Sequence, residues 1–228
     1  MMSKVRTLSV VLLGFFLASC AEMQTKQQAF PAMYTDQKPV SMVIVPAINE
    51  TTAADAGDLL NVTISQPFAN HGYYVMPIPI VADIWKSEGV LEGDQLKGMP
   101  TSVFLETFGA DSVLFLTINT WDTNYAVIAA NVTVGLEYVL LSTRTNDVLW
   151  SYEEQVIIDT GSSSGNLLVD VIATAVSTAV TDYVPIARSV HQEAVKAMPY
   201  GVYHPKSGQD GAEQTVLTSS KEAALFED

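Results

Sequence analysis

The chain has 228 residues, 48% of them apolar, and sets 11 Lys and Arg against 25 Asp and Glu for a formal charge of −14. That balance excludes a nucleic-acid or anionic-headgroup binder, because phosphate affinity comes from clustered Lys and Arg and no such cluster occurs. A single cysteine excludes an internal disulfide framework, so stability must come from burial, for which this composition is sufficient in one domain.

In chain order, Lys4 and Arg6 form a positive n-region and Val10 to Leu17 an apolar h-region, the pattern of a secretory signal. The run is too short to span a bilayer. It ends in Leu17-Ala18-Ser19-Cys20, a lipobox, so residues 1–19 are expected to leave and Cys20 to be diacylated as the new N-terminus. Lys4 and Arg6 would leave with them, moving the charge from −14 to −16. Two or three acyl chains, at about 0.8 kcal/mol per buried methylene, hold a protein on a membrane essentially permanently. Ala21 is not the aspartate of an inner-membrane retention signal, which favours the outer membrane and its periplasmic face.

Residues 20–38, rich in Gln, Met, Thr and Ala without apolar period, are predicted as a flexible tether, with an α/β domain over 39–205. Val40 to Val45 is a continuous apolar run suited to a strand buried on both faces. Ala53 to Asn70 has helical spacing closed by His71-Gly72, and Tyr73 to Met76 is a second strand, giving a parallel βαβ unit. Short helices are predicted over Ile80 to Lys86 and Thr101 to Phe108, separated by a polar loop, Gly89 to Gly98, and followed by a third strand at Ser112 to Thr120. After Asp122-Thr123-Asn124 the pattern turns antiparallel. Asn131 to Leu141 alternates, with Val132, Val134, Leu136, Tyr138 and Leu140 on one face. Thr143 to Asp147 turns the chain, and Val148 to Ile158 returns with Trp150 and Tyr152 on the face of Val148. The fold class is therefore single-domain α/β with a mixed, roughly five-stranded sheet covered by helices.

Asn166 to Ala197 reads as a long helix broken at Pro185. Its first half carries only Asp170 and Asp182 as charges, so it is either covered by the chain's own loops or packed on a partner. Met198 to Pro205 is an aromatic and proline segment, in which Tyr200, Tyr203 and His204 are candidate partner contacts. Residues 206–228 are predicted as a disordered acidic tail.

Catalytic candidates are few. Gly161-Ser162-Ser163-Ser164-Gly165 matches G-x-S-x-G, with Asp170 or Asp182 and His191 or His204 following in the order Ser, Asp, His. An elbow serine such as Ser163 must follow a central parallel strand, whereas the preceding strand here is the second arm of a hairpin, and a run of serines suits a loop. The same loop could form a phosphate nest, but no Lys or Arg stands near it. The three histidines, His71, His191 and His204, have no metal-ligand spacing, so neither a metal nor a cofactor is expected. The Asn-x-Ser/Thr matches at Asn49, Asn61 and Asn131 carry no weight beside a bacterial lipobox.

Three stretches, Val43-Ile44-Val45-Pro46-Ala47-Ile48-Asn49, Gln66 to Val75 with Pro77, and Tyr200-Gly201-Val202-Tyr203-His204-Pro205, resemble the meningococcal GNA-type lipoproteins, a family of unknown biochemical function. The resemblance implies a mixed α/β fold like the TolB N-terminal domain and the periplasmic part of CsgG. It also implies a non-enzymatic accessory or assembly role in envelope transport or secretion, beside other envelope proteins or lipoproteins or as a homo-oligomer. It implies no catalytic residues. The chain departs from that family by its acidic tail, and it lacks the amphipathic hairpins of a CsgG-like pore, so no channel is predicted. The alternative from another class is a regulator or binder of peptidoglycan synthesis.

Overall fold

The computed structural model describes residues 23–35, 37–125, 130–159 and 184–216. The first short strand, β1 (Met23–Thr25), leads into α1 (Lys26–Ala29) and a 3-10 turn at Pro31–Tyr34. The sheet begins with β2 (Ser41–Ile44) and β3 (Ile48–Asn49), followed by helix α2 (Ala56–Asn70) and strand β4 (Tyr74–Val75). Helices α3 (Ile78–Ser87) and α4 (Ser102–Phe108) precede the long strands β5 (Ser112–Tyr125), β6 (Ala130–Ser142) and β7 (Val148–Asp159). Helix α5 (Val184–Ala197) and strand β8 (Gln214–Val216) complete the described chain.

The sheet runs β4-β2-β5-β6-β7, with β3 also beside β5. The β2 pairings with β4 and β5 are parallel, and β5, β6 and β7 are antiparallel. All five predicted strands are present in the predicted mixed pattern. The sixth, β3, continues the β2 direction past Pro46 and pairs with Thr117 and Ile118.

Strand alternation sorts the core into two layers. Met42, Ile44, Leu114, Leu116, Val134, Leu136 and Tyr138 face α2 and α5, burying Leu60, Ile64, Phe68, Ile186 and Val190. Val43, Val45, Val113, Phe115, Val139 and Leu141 face α3 and α4, burying Val81, Trp85 and Phe104. A strand buried on both faces needs apolar residues at every position, which is why β2 reads as a continuous run. Each such side chain contributes about 1.5–3 kcal/mol of burial.

Four sequence expectations change. Where a flexible tether was predicted, residues 23–34 are ordered against the body, with Lys26, Phe30 and Met33 buried. Where the tail was predicted as disordered from 206, the chain stays packed to Val216, with Asp210 buried and β8 paired to β1. The physical reason is the same in both cases: each end covers the other. Asp122-Thr123-Asn124 does not break β5, because its residues stay in the ladder opposite Asn131, Val132 and Thr133. Val148 does not share a face with Trp150, since a register shift sets Leu140 opposite Trp150 but Leu141 opposite Val148. The extra residue in that bulge sends Val148 to the α3/α4 layer while Trp150 stays under α2. Cys20, Ser163, the first half of the long predicted helix and residues 217–228 lie outside the described residues.

Candidate functional site: the terminal clasp and its aromatic rim

Where the chain enters the fold, β1 pairs antiparallel with β8, Met23 opposite Val216 and Thr25 opposite Gln214. Thr25 then starts α1 by a reciprocal cap: its hydroxyl accepts the Gln28 N–H at 3.3 Å, and the Gln28 side-chain oxygen accepts the Thr25 N–H at 3.1 Å. This cap directs the next residue, Lys26, inward. Its ammonium, 2% exposed, lies 3.0 Å from Glu213 Oε2 and 3.6 Å from Asp210 Oδ2. It also stands 5.0 Å from the centre of the Tyr200 ring.

Asp210 organises the other side. Its Oδ2 accepts the Tyr200 backbone N–H at 2.7 Å, and its carboxylate faces the Tyr34 phenol. Burial first, and then Asp210, push Tyr34 well above the usual phenol range. A carboxylate removed from water is held only by such donors and by its cation.

The aromatic rim rests on the turn after α2. Tyr200 and His204 stack with ring centres 3.8 Å apart and planes within 9°, and His71 lies 4.6 Å from Tyr200. His71 Nε2–H donates to the Met198 carbonyl at 2.8 Å, and the Tyr73 hydroxyl donates to the Pro199 carbonyl at 2.6 Å. Burial holds His71 down to about 4, against the Met198 bond, so it stays neutral near pH 7. Gly201 N–H bonds the His71 carbonyl at 3.0 Å, and Tyr203 N–H bonds the Gly72 carbonyl at 3.1 Å. Gly72 adopts φ 99°, and a Cβ on Gly201 would overlap the Gly72 carbonyl, so both glycines are required for this backbone-on-backbone seat.

Of the three predicted contact residues, Tyr200 and His204 are therefore occupied in the stack. Tyr203 is outside the stack and 67% exposed, beside Val202 at 37%. Lys26 and Asp210, the charges that close the clasp, were not singled out by sequence. The only local signal is the Thr25-x-x-Gln28 capping spacing, which marks a helix start inside the supposed tether.

Two histidines could complete the possible triad, whose Ser163, Asp170 and Asp182 lie outside the described residues. His191 is fully buried: its Nδ1 accepts the Tyr138 hydroxyl at 2.8 Å and its Nε2–H donates to the Leu60 carbonyl at 3.1 Å. Burial pushes it down to about 3, the Leu60 bond opposing. With both nitrogens engaged it joins α5 to β6 and α2 rather than activating a nucleophile. His204 Nδ1 accepts the Lys206 N–H at 3.2 Å. Among the described residues, no group of three or more His, Cys, Asp and Glu could hold a metal, and no helix is long and apolar enough to cross a membrane.

A family model described as "Putative lipoprotein GNA1162-like" matches residues 31–199. The chain belongs to that family. A relative from Neisseria meningitidis serogroup B, "Putative lipoprotein NMB1124/NMB1162", is 24% identical over 152 residues, covering 65% of this chain and 71% of its own. The crystal structure of lipoprotein GNA1162 from Neisseria meningitidis is similar with a TM-score of 0.53 and 25% identity, covering 62% of this chain and 98% of that one. A PelC dodecamer from Paraburkholderia phytofirmans reaches a TM-score of only 0.39 at 18% identity, covering 64% of this chain and 87% of its own. That likeness is too low to bear on assembly. The GNA1162-like match contains the whole central sheet. Lys26, Tyr200 and Asp210 lie outside it, so the clasp closes around the matched region from both sides.

Proposed function

We propose that this GNA1162-like lipoprotein is a non-enzymatic accessory component of an envelope transport or secretion system, anchored through Cys20 to the periplasmic face of the outer membrane. The observation that carries the proposal is the short path from lipobox to fold. Cys20 stands three positions before Met23, the first residue of β1, and three residue steps reach at most about 11 Å. The acyl chains therefore hold the domain at the membrane surface rather than at the end of a long leash. Lys26, clasped by Asp210 and Glu213, passes that attachment directly into the body. Partner contact at this end falls to Tyr203, presented by the Tyr200 and His204 stack, with other envelope proteins, a second lipoprotein or another copy as the candidates.

Palmitate labelling of the intact chain and of Cys20→Ala tests the anchor: label and membrane fractionation are expected for the first and neither for the second. Cross-linking in intact envelope tests the role. Recovery of monomer alone, with no envelope partner, would overturn it.

A further inference from the structure

Seven large apolar side chains are exposed in the described chain, and two of them, Val62 and Leu91, line one trough between α2 and the β4–α3 segment, away from the clasp. Two clefts of about 510 and 220 Å³ share Asn61 and Ile78 as lining residues and so join end to end. Along α2 the trough runs from Gly57 to Ala69, about 18 Å at the helical rise of 1.5 Å per residue.

Three features define what would fit. First, among the described residues β4 is the last strand of the sheet: Tyr74 and Met76 donate to Val40, just before β2, and to Met42, so the Val75 backbone between them turns to the side with no described strand. Second, Asn61 Oδ1, where the two clefts meet, is buried without a hydrogen-bond partner, an acceptor waiting for a donor. Third, charge differs along the trough. No ionisable residue lines the wide part, while the narrow end holds Asp58 and Glu92 against Lys86. From Ala54 to Glu92 the chain carries Asp55, Asp58, Asp83, Glu88 and Glu92 against that one lysine.

We infer that this trough receives an extended polypeptide segment of a partner protein, apolar along its length and ending in Lys or Arg. An extended chain alone offers both the apolar side chains for the walls and the N–H groups that Val75 and Asn61 call for. The basic end follows from charge complementarity with Asp58 and Glu92 and with a chain that sets 25 Asp and Glu against 11 Lys and Arg. A second copy is disfavoured on the same ground, since it would bring one strongly acidic chain against another. The inference deepens the accessory role and rests on it.

The test is p-benzoylphenylalanine placed singly at Val62, Leu91, Tyr203 or, as control, the exposed Gln192 of α5, in the full lipidated chain in its own envelope, with adducts mapped to the residue. Expected are adducts at Val62 and Leu91 at least ten-fold above Gln192, on one heterologous segment of apolar residues followed by Lys or Arg. Combining Asp58→Lys with Glu92→Lys should reduce them at least ten-fold while leaving the melting temperature within a few degrees. Adducts only to a second copy, only to lipid, or to a segment ending in acids would overturn the inference, as would no excess over the control. Envelope adducts at Tyr203 without any at Val62 or Leu91 would overturn the trough and leave the accessory role standing. No envelope adduct at any position would remove both.

Discussion

The body of the sheet and the clasp at its edge use opposite means of holding together. In the body nearly every buried group is apolar, and Tyr138 and His191 have their polar atoms matched to each other and to Leu60. In the clasp a buried ammonium, a buried carboxylate and a tyrosine–histidine stack join residues as much as 187 positions apart, on a ribbon of two three-residue strands. A ribbon of that size has no stability of its own. It persists because Phe30 and Met33 sink into the body and because Lys26 has no better place than between its acids. The body is thus a product of area, and the clasp a product of pairing. A structure built on area fails as a unit, whereas one built on pairing can open locally while the rest stays folded.

The largest expected effect breaks the body. Phe68, fully buried against Tyr138 and Trp150, should cost about 4 kcal/mol when changed to Ala, read as a lower urea midpoint for the entire domain. Asp210→Ala should come next, at about 3 kcal/mol, because it leaves Lys26 buried beside a single, half-exposed partner. The two should differ in kind as well as size. Hydrogen exchange in Asp210→Ala should show faster amides in β1, α1 and residues 200–216 with the centres of β5 and β6 unchanged. If β5 and β6 loosen equally, the clasp is not a separate unit.

The same division decides what was legible. The strands could be read because period-two alternation and two-sided burial leave a mark on consecutive residues, and α2 because its apolar face ends in a residue, Gly72, that tolerates positive φ. The third strand was predicted to end at Thr120, before the polar Asp122-Thr123-Asn124, yet β6 pairs through that stretch; a partner strand overrides local preference. The bulge that separates Val148 from Trp150 belongs to the pairing of two strands and leaves no trace in the alternation of one. The aromatic segment was legible by composition. Its division into a stacked pair and an exposed Tyr203 was not, because that depends on Gly201 lying against Gly72. Lys26 and Asp210 were invisible for the strongest reason: each looks like an ordinary charge in a polar stretch until the other end of the chain arrives.

Acid should sharpen the contrast, since one buried histidine belongs to each region. His71 in the clasp is held to about 4 and His191 in the body to about 3, both below the unfolded value near 6.5. The unfolded chain therefore binds protons that the folded chain refuses. Stability is complete above pH 6.5 and falls as pH drops, until each group protonates in the fold at about 4 and about 3 respectively. Each contributes a slope of about 1.4 kcal/mol per pH unit, or about 2.7 together near pH 5. Urea titrations of His71→Gln and His191→Gln should each show roughly half that slope. Exchange at pH 5 should accelerate first in the clasp.

The smallest effect is the most discriminating, because distance and burial disagree about it. Glu213 lies closer to Lys26, at 3.0 Å, than Asp210 does at 3.6 Å, so ranking by distance would make Glu213 the stronger partner. Yet Glu213 is 48% exposed and Asp210 is fully buried. Water screens the first charge and replaces most of its attraction when it is removed, leaving about 0.5 kcal/mol at stake for Glu213→Ala. The second charge has no water to replace it, and Tyr200 would also lose the acceptor of its backbone N–H. A denaturation series with both single variants and the double variant therefore reads burial against distance directly. A Glu213→Ala loss near 3 kcal/mol would mean that Lys26 is held from the surface side, and that the clasp owes its closure to the outer acid instead of the inner one.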